Sequence, residues 1–92
     1  MKTIKIQDHT YELIKDYRDA YNLEDFENRF SDYFFPFDYI VGDYAYNKLR
    51  LKGFYDESNK EAKNLNNYKF VDAYLENNCA VECCHFILKK IN

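Results

Sequence analysis

Glycine, proline and tryptophan are scarce in this chain of 92 residues: two Gly, one Pro and no Trp. That scarcity excludes collagen-like and low-complexity classes. Long apolar runs are missing too. The densest patch, YFFPF at Tyr33–Phe37, holds the proline and falls far short of the ~18 apolar residues of a membrane span. The opening MKTIKIQDHT has no apolar stretch of signal-peptide length. Positive charge is short as well, with 13 Lys and Arg against 16 Asp and Glu and a net charge of −3. This weighs against sequence-independent nucleic-acid binding, which relies on phosphate neutralisation. Arg occurs only at Arg18, Arg29 and Arg50, and the excess of Lys reads as AT-rich base composition. Phosphate-loop and dinucleotide glycine patterns are absent. Ser31 and Ser58 are the only serines, and neither sits in a nucleophile motif. The three cysteines are odd in number and clustered, unlike a secreted disulfide framework. The expectation is a soluble cytoplasmic protein, without a membrane association, that is not an enzyme.

What the chain does have is aromatic residues. Ten Tyr and eight Phe make 20% of it, and 47% is hydrophobic. A load of that size argues against disorder, which needs low hydrophobicity. The length fits one domain, residues 1–92, burying roughly 60–65% of its unfolded surface.

Ile4 and Ile6 alternate with Lys5 and Gln7, as in a strand with one apolar face, and Tyr11, Leu13 and Tyr17 continue the pattern after a turn at Asp8-His9. From Asn22 the period becomes helical: Leu23, Phe26, Phe30, Tyr33 and Phe34 form one stripe, read as core. Asn22 suits the N-cap, and Pro36 stops the helix by Phe35. Tyr39–Asp43 and Leu49–Lys52 read as a hairpin turning over Ala45–Lys48. Asp56–Asn67 is a polar loop, Val71, Tyr74 and Leu75 mark a second helix, and Cys84, Phe86 and Leu88 a last strand. The order β-β-α-β-β-α-β predicts an α+β domain, a mainly antiparallel sheet with two helices packed on one face.

The central hairpin carries the first candidate site. Arg50 and Lys52 project from one face, about 6.5–7 Å apart by strand rise. Asp43, if it lies across from Arg50, can pair with it. Asp38, Asp43, Tyr46, Arg50, Lys52 and Tyr55 form the binding candidates here. Aromatic rings interleaved with cations suit RNA stacking and backbone contact, while a solvated face with ordinary charge pairs is the plainer account. Gly42 and Gly53 lie in the same hairpin, where relief of crowding by a large aromatic is the favoured reading. Phe35 and Phe37, flanking Pro36, are read as an apolar knob for a protein partner.

Three stretches, YELIKDYRDAYN (Tyr11–Asn22), FDYIVGDYAYNKLRLKGFYDE (Phe37–Glu57) and DAYLENNCAVECCHFIL (Asp72–Leu88), resemble the YutD-like family of small proteins, found mainly in low-GC Gram-positive bacteria. The resemblance runs over nearly the whole chain, and its most specific piece is DYIVGD-x-x-Y-x-x-LRLKGFYD. It implies a cytosolic bacterial protein of one small domain. It brings no reaction, cofactor or catalytic residue with it. Cys79 and Cys83 look like the family pattern, whereas Cys84 and His85 depart from it.

Cys79, Cys83 and His85 also have spacing that zinc could use, with His9 as a fourth ligand brought through the sheet. A redox pair at Cys79 and Cys83 is a second option. Buried small side chains are the favoured account, so no cofactor and no metal are expected. The function expected is a non-enzymatic binding module using the aromatic and basic surface of the central hairpin, with a protein partner first. RNA contact through Arg50 and Lys52 and a thiol or zinc site at Cys79 and Cys83 are the alternatives. The sequence leaves the oligomeric state open.

Overall fold

The computed structural model describes residues 2–45, 48–63, 66–78 and 84–91. The alternating segments become strands β1 (Lys2–Ile6), β2 (His9–Tyr17), β3 (Tyr39–Ala45), β4 (Lys48–Phe54) and β5 (His85–Lys90). Helix α1 (Leu23–Arg29) separates β2 from β3, and α2 (Val71–Asn78) precedes β5. The element order is the one the sequence predicts. All the strands join one antiparallel sheet in the order β1-β2-β5-β3-β4. The last strand therefore inserts between the two hairpins and places β3 and β5 at the centre.

Centrality explains the composition of those two strands. Consecutive apolar residues Tyr39-Ile40-Val41 and Phe86-Ile87-Leu88 are buried, so both faces of the sheet are covered. On one face Ile40, Phe86 and Leu88 pack with Phe26 and Phe30 from α1 and its end. On the other, Tyr39, Val41 and Ile87 pack with Val71 and Leu75 of α2. The helices thus lie on opposite faces, which corrects the expectation of a single covered face. The physical reason is the apolar triplets of β3 and β5: alternation sends Tyr39, Val41 and Ile87 to the far side, and α2 covers them. Burying Phe26 and Phe86 completely contributes about 1.5–3 kcal/mol each.

Helix α1 begins as read. The Asn22 side chain accepts a hydrogen bond from the Asp25 N–H at 3.0 Å. It ends sooner than the stripe implies. Phe30 turns extended, and Ser31 caps a separate 3-10 turn at Asp32–Phe34. The break lets Phe30 sink into the core but leaves Tyr33 70% exposed. Part of the expected core stripe is therefore surface. The first hairpin turns at Gln7-Asp8, one residue earlier than expected, because Ile6 pairs with His9. Gln7 takes the left-handed backbone conformation, with φ 54°.

Both glycines sit beneath aromatic rings. A Cβ on Gly42 would overlap the Phe86 ring, and one on Gly53 the Phe37 ring. Among the described residues no helix is long and apolar enough to cross a membrane.

Candidate functional site

Four strands contribute to one row on the α2 face. Tyr17 of β2 pairs with His85 of β5, His85 with Asp43 of β3, and Asp43 with Arg50 of β4. The Arg50 guanidinium grips the Asp43 carboxylate with two bonds, Nε to Oδ1 at 3.1 Å and Nη2 to Oδ2 at 2.8 Å. Asp43 is 1% exposed, whereas the Arg50 side chain is 44% exposed. The pair therefore has one dry and one wet end. At the other flank His85 stacks on Tyr17 with centroids 5.1 Å apart. Above the row stands Tyr74 of α2. Burial pushes its phenol up, the Asp43 charge adds to this, and Arg50 pulls back.

Lys52 continues the Arg50 face. Its Nζ lies 5.3 Å from the Phe54 ring centre and 5.7 Å from that of Tyr74. This is cation–π range, so the ammonium is held against the helix. Arg50, Lys52 and Tyr74 then form one wall of a groove of about 460 Å³. The opposite wall is Tyr33, Phe34 and Phe37, with Leu51 and Gly53 at the floor and Asn66 also lining it. The groove runs along β4, one of the two edge strands of the sheet.

The remaining sequence candidates disperse. Phe35 and Phe37 do not form one knob. Phe35 lies on His9, centroids 4.0 Å apart, and the Lys90 ammonium donates to its carbonyl at 3.0 Å. Phe37 instead covers Gly53 and meets Tyr55, centroids 4.8 Å apart. Asp38 anchors the polar loop, accepting from the Asp56 N–H at 2.8 Å and the Asn59 amide at 3.1 Å. Tyr46 lies outside the described residues, as do Cys79 and Cys83. Cys84 is half-buried, its Sγ 4.0 Å from the Arg18 carbonyl oxygen. His9 and the Tyr17–His85 pair occupy opposite ends of β2, on the order of 25 Å apart by strand rise, too far to share an ion. Among the described residues no three of His, Cys, Asp and Glu gather as metal ligands.

Tyr33, Tyr74 and Tyr17 belong to the site but are not among the sequence candidates. Tyr74 was legible only as part of the α2 stripe, and Tyr33 as part of that of α1. On the α1 face, Tyr44 donates to Asp25 Oδ2 at 2.7 Å, tying β3 to the helix. Burial, together with that bond, pushes its phenol up to about 12.

The family described as "Putative antitoxin YutD-like" matches residues 5–89. A Bacillus subtilis (strain 168) protein, "Putative antitoxin YutD", is 41% identical over 88 residues, 96% of this chain and 97% of its own. The solution NMR structure of yutD from B. subtilis matches with a TM-score of 0.83 at 39% identity, covering all of this chain and 84% of that one. A likeness of this extent, in sequence and in the folded backbone together, places the chain in the YutD-like family.

Proposed function

We infer that the protein is a non-enzymatic binding module that engages a protein partner through the surface of the β3–β4 hairpin. The observation that carries this reading is the groove beside β4, where exposed Tyr33 faces Lys52 and Tyr74 across an open strand. Aromatic rings bring large contact area at small entropic cost, which suits them to interface anchors. The B. subtilis relative bears the name of an antitoxin. Such a name fits a protein that works by holding a partner rather than by turning over a substrate.

The alternative of RNA contact is weaker on electrostatic grounds. Arg50, one of its two cations, is already bound by the Asp43 carboxylate, and the chain as a whole is acidic. The thiol or zinc alternative draws on Cys79 and Cys83, and only His85 of that set is described.

Capture from a bacterial lysate, with and without nuclease, tests the reading. A stoichiometric protein should be retained in both, and lost from the Tyr33→Ser and Lys52→Glu variants while both keep the circular dichroism of the folded parent. Capture that vanishes with nuclease transfers the surface to RNA. Retention of the partner by both variants moves the interface away from the groove and refutes the reading.

A further inference from the structure

The outer edge of β4 has backbone groups on offer. Tyr55 shows which way they point. Its N–H donates to the Asn66 carbonyl at 2.7 Å, and its carbonyl accepts from the Tyr68 N–H at 2.8 Å, both away from β3. Backbone direction alternates along a strand, so Leu49, Leu51 and Gly53 aim their N–H and C=O groups outward as Tyr55 does. Among the described residues no strand pairs with them. The chain itself thus begins a ladder on this edge at Tyr55 and leaves it open toward Lys48.

The two walls of the groove differ in chemistry. Lys48 and Lys52 share the α2 face with Arg50, whose charge the Asp43 carboxylate offsets, while Tyr33, Phe34 and Phe37 border the other. Among the described residues no acidic side chain lines the groove, although the chain is acidic overall. An extended segment laid along this edge would send alternate side chains to the cationic and the aromatic wall. A second copy of the chain is a poor occupant. Centred on Arg50, an antiparallel β4–β4 pair sets Arg50 against Arg50 and Lys48 against Lys52. Centred on Leu51, it sets Arg50 against Lys52. Like charges directly opposite are destabilising, and edge lysines are a known guard against self-pairing.

We propose that the edge of β4 takes an added strand from the partner, an extended segment alternating acidic with apolar residues. Backbone bonds to Leu49, Leu51 and Gly53 give affinity, and the two walls give direction and selectivity. This rests on the reading of the hairpin as a protein-binding surface and names the form of what it binds.

The test uses a short fluorescent peptide alternating Val with Glu, and its counterpart alternating Val with Lys. The Glu peptide should bind, the Lys peptide should not, and the amide resonances of Leu49, Leu51 and Gly53 should shift. Leu51→Pro removes an outward N–H without touching the β3 ladder and should weaken binding about tenfold or more. Leu51→Ala loses the same side-chain packing but keeps the N–H, so it should bind more tightly than Leu51→Pro, and the difference between the two reads the backbone bond alone. Failure of the Glu peptide to bind, equal binding by Leu51→Pro and Leu51→Ala, or resonance shifts confined to another surface would each overturn strand addition. The lysate partner separates the two levels. If Leu51→Pro still captures it, strand addition falls and the binding-module reading stands. If the parent captures nothing, both fall.

Discussion

Removing Arg50 should cost the protein more than removing Arg50 and Asp43 together. In the parent, both oxygens of a carboxylate that is 1% exposed are satisfied by one guanidinium. Arg50→Ala strands that carboxylate among Val41, Tyr74 and the sheet. A broken buried ion pair costs about 3–5 kcal/mol. Arg50 is 44% exposed, so its truncation opens a route for water and the lower end of that range applies. A loss of about 3 kcal/mol lowers the melting temperature of a domain this size by roughly 12–24 °C. Asp43→Ala is milder, because the Arg50 head group can turn outward and hydrate. Its cost is the charge-assisted bonds, about 1.5 kcal/mol. The double variant holds no stranded charge and should sit about 1–2 kcal/mol above Arg50→Ala. Urea unfolding of the four proteins measures the cycle, since guanidinium chloride would screen the charges under test. A double variant no more stable than Arg50→Ala would show that the carboxylate is not the source of the cost.

Gly42→Ala should destabilise more than Gly53→Ala within an overpacking range of about 1–3 kcal/mol, because fully buried Phe86 cannot yield while half-buried Phe37 can. Melting curves compare the two, and a Phe37→Leu background should erase the Gly53→Ala penalty alone. Tyr11 buries its hydroxyl with no partner among the described residues, so Tyr11→Phe should leave stability unchanged or raise it by about 1 kcal/mol in urea unfolding. Burial pushes the phenols of Tyr11, Tyr21 and Tyr44 up to about 12, above their unfolded value near 10. Their neutral forms therefore favour the fold fully below pH about 10, and that contribution is lost as pH rises toward 12. Tyrosinate absorbance and circular dichroism should change together over that interval; ionisation of these phenols in a still-native protein near pH 10 would contradict their burial.

The elements were legible because their signals are local. Two-residue alternation marked β1, β2 and β4, and Asn22 marked the start of α1 through a bond three residues long. The Asp43–Arg50 pairing was also within reach, since a hairpin turning after Ala45 sets those residues opposite each other. The end of α1 was hidden because Ser31 competes for the backbone against an apolar stripe that continues past it. The groove was hidden for another reason: its walls come from the turn at Tyr33, the strand at Lys52 and the helix at Tyr74, and only the folded sheet brings these together. The opposed helices did have a signal. Tyr39-Ile40-Val41 and Phe86-Ile87-Leu88 break alternation with unbroken apolar runs, which a strand needs only when both its faces are covered.

That double coverage decides where recognition can occur. A domain of 92 residues with helices on both faces of its sheet commits its central strands to the core. The faces of β3 and β5 offer a partner little, and Asp43, the one buried charge there among the described residues, is already neutralised. Backbone hydrogen-bonding capacity remains at the margins, along β1 and β4. Both carry cations, Lys2 and Lys5 on β1 and Lys48, Arg50 and Lys52 on β4, and it is β4 that borders the groove with its flanking aromatic rings. It also lies within the run DYIVGD-x-x-Y-x-x-LRLKGFYD on which the sequence resembles the family. Core packing fixes what that run must look like at Leu49 and Phe54, and it also holds Lys52 over the Phe54 and Tyr74 rings. Lys48 is exposed on the outer strand and has no such contact among the described residues, so it is the cation of β4 that packing does not account for and that the proposed binding edge would use.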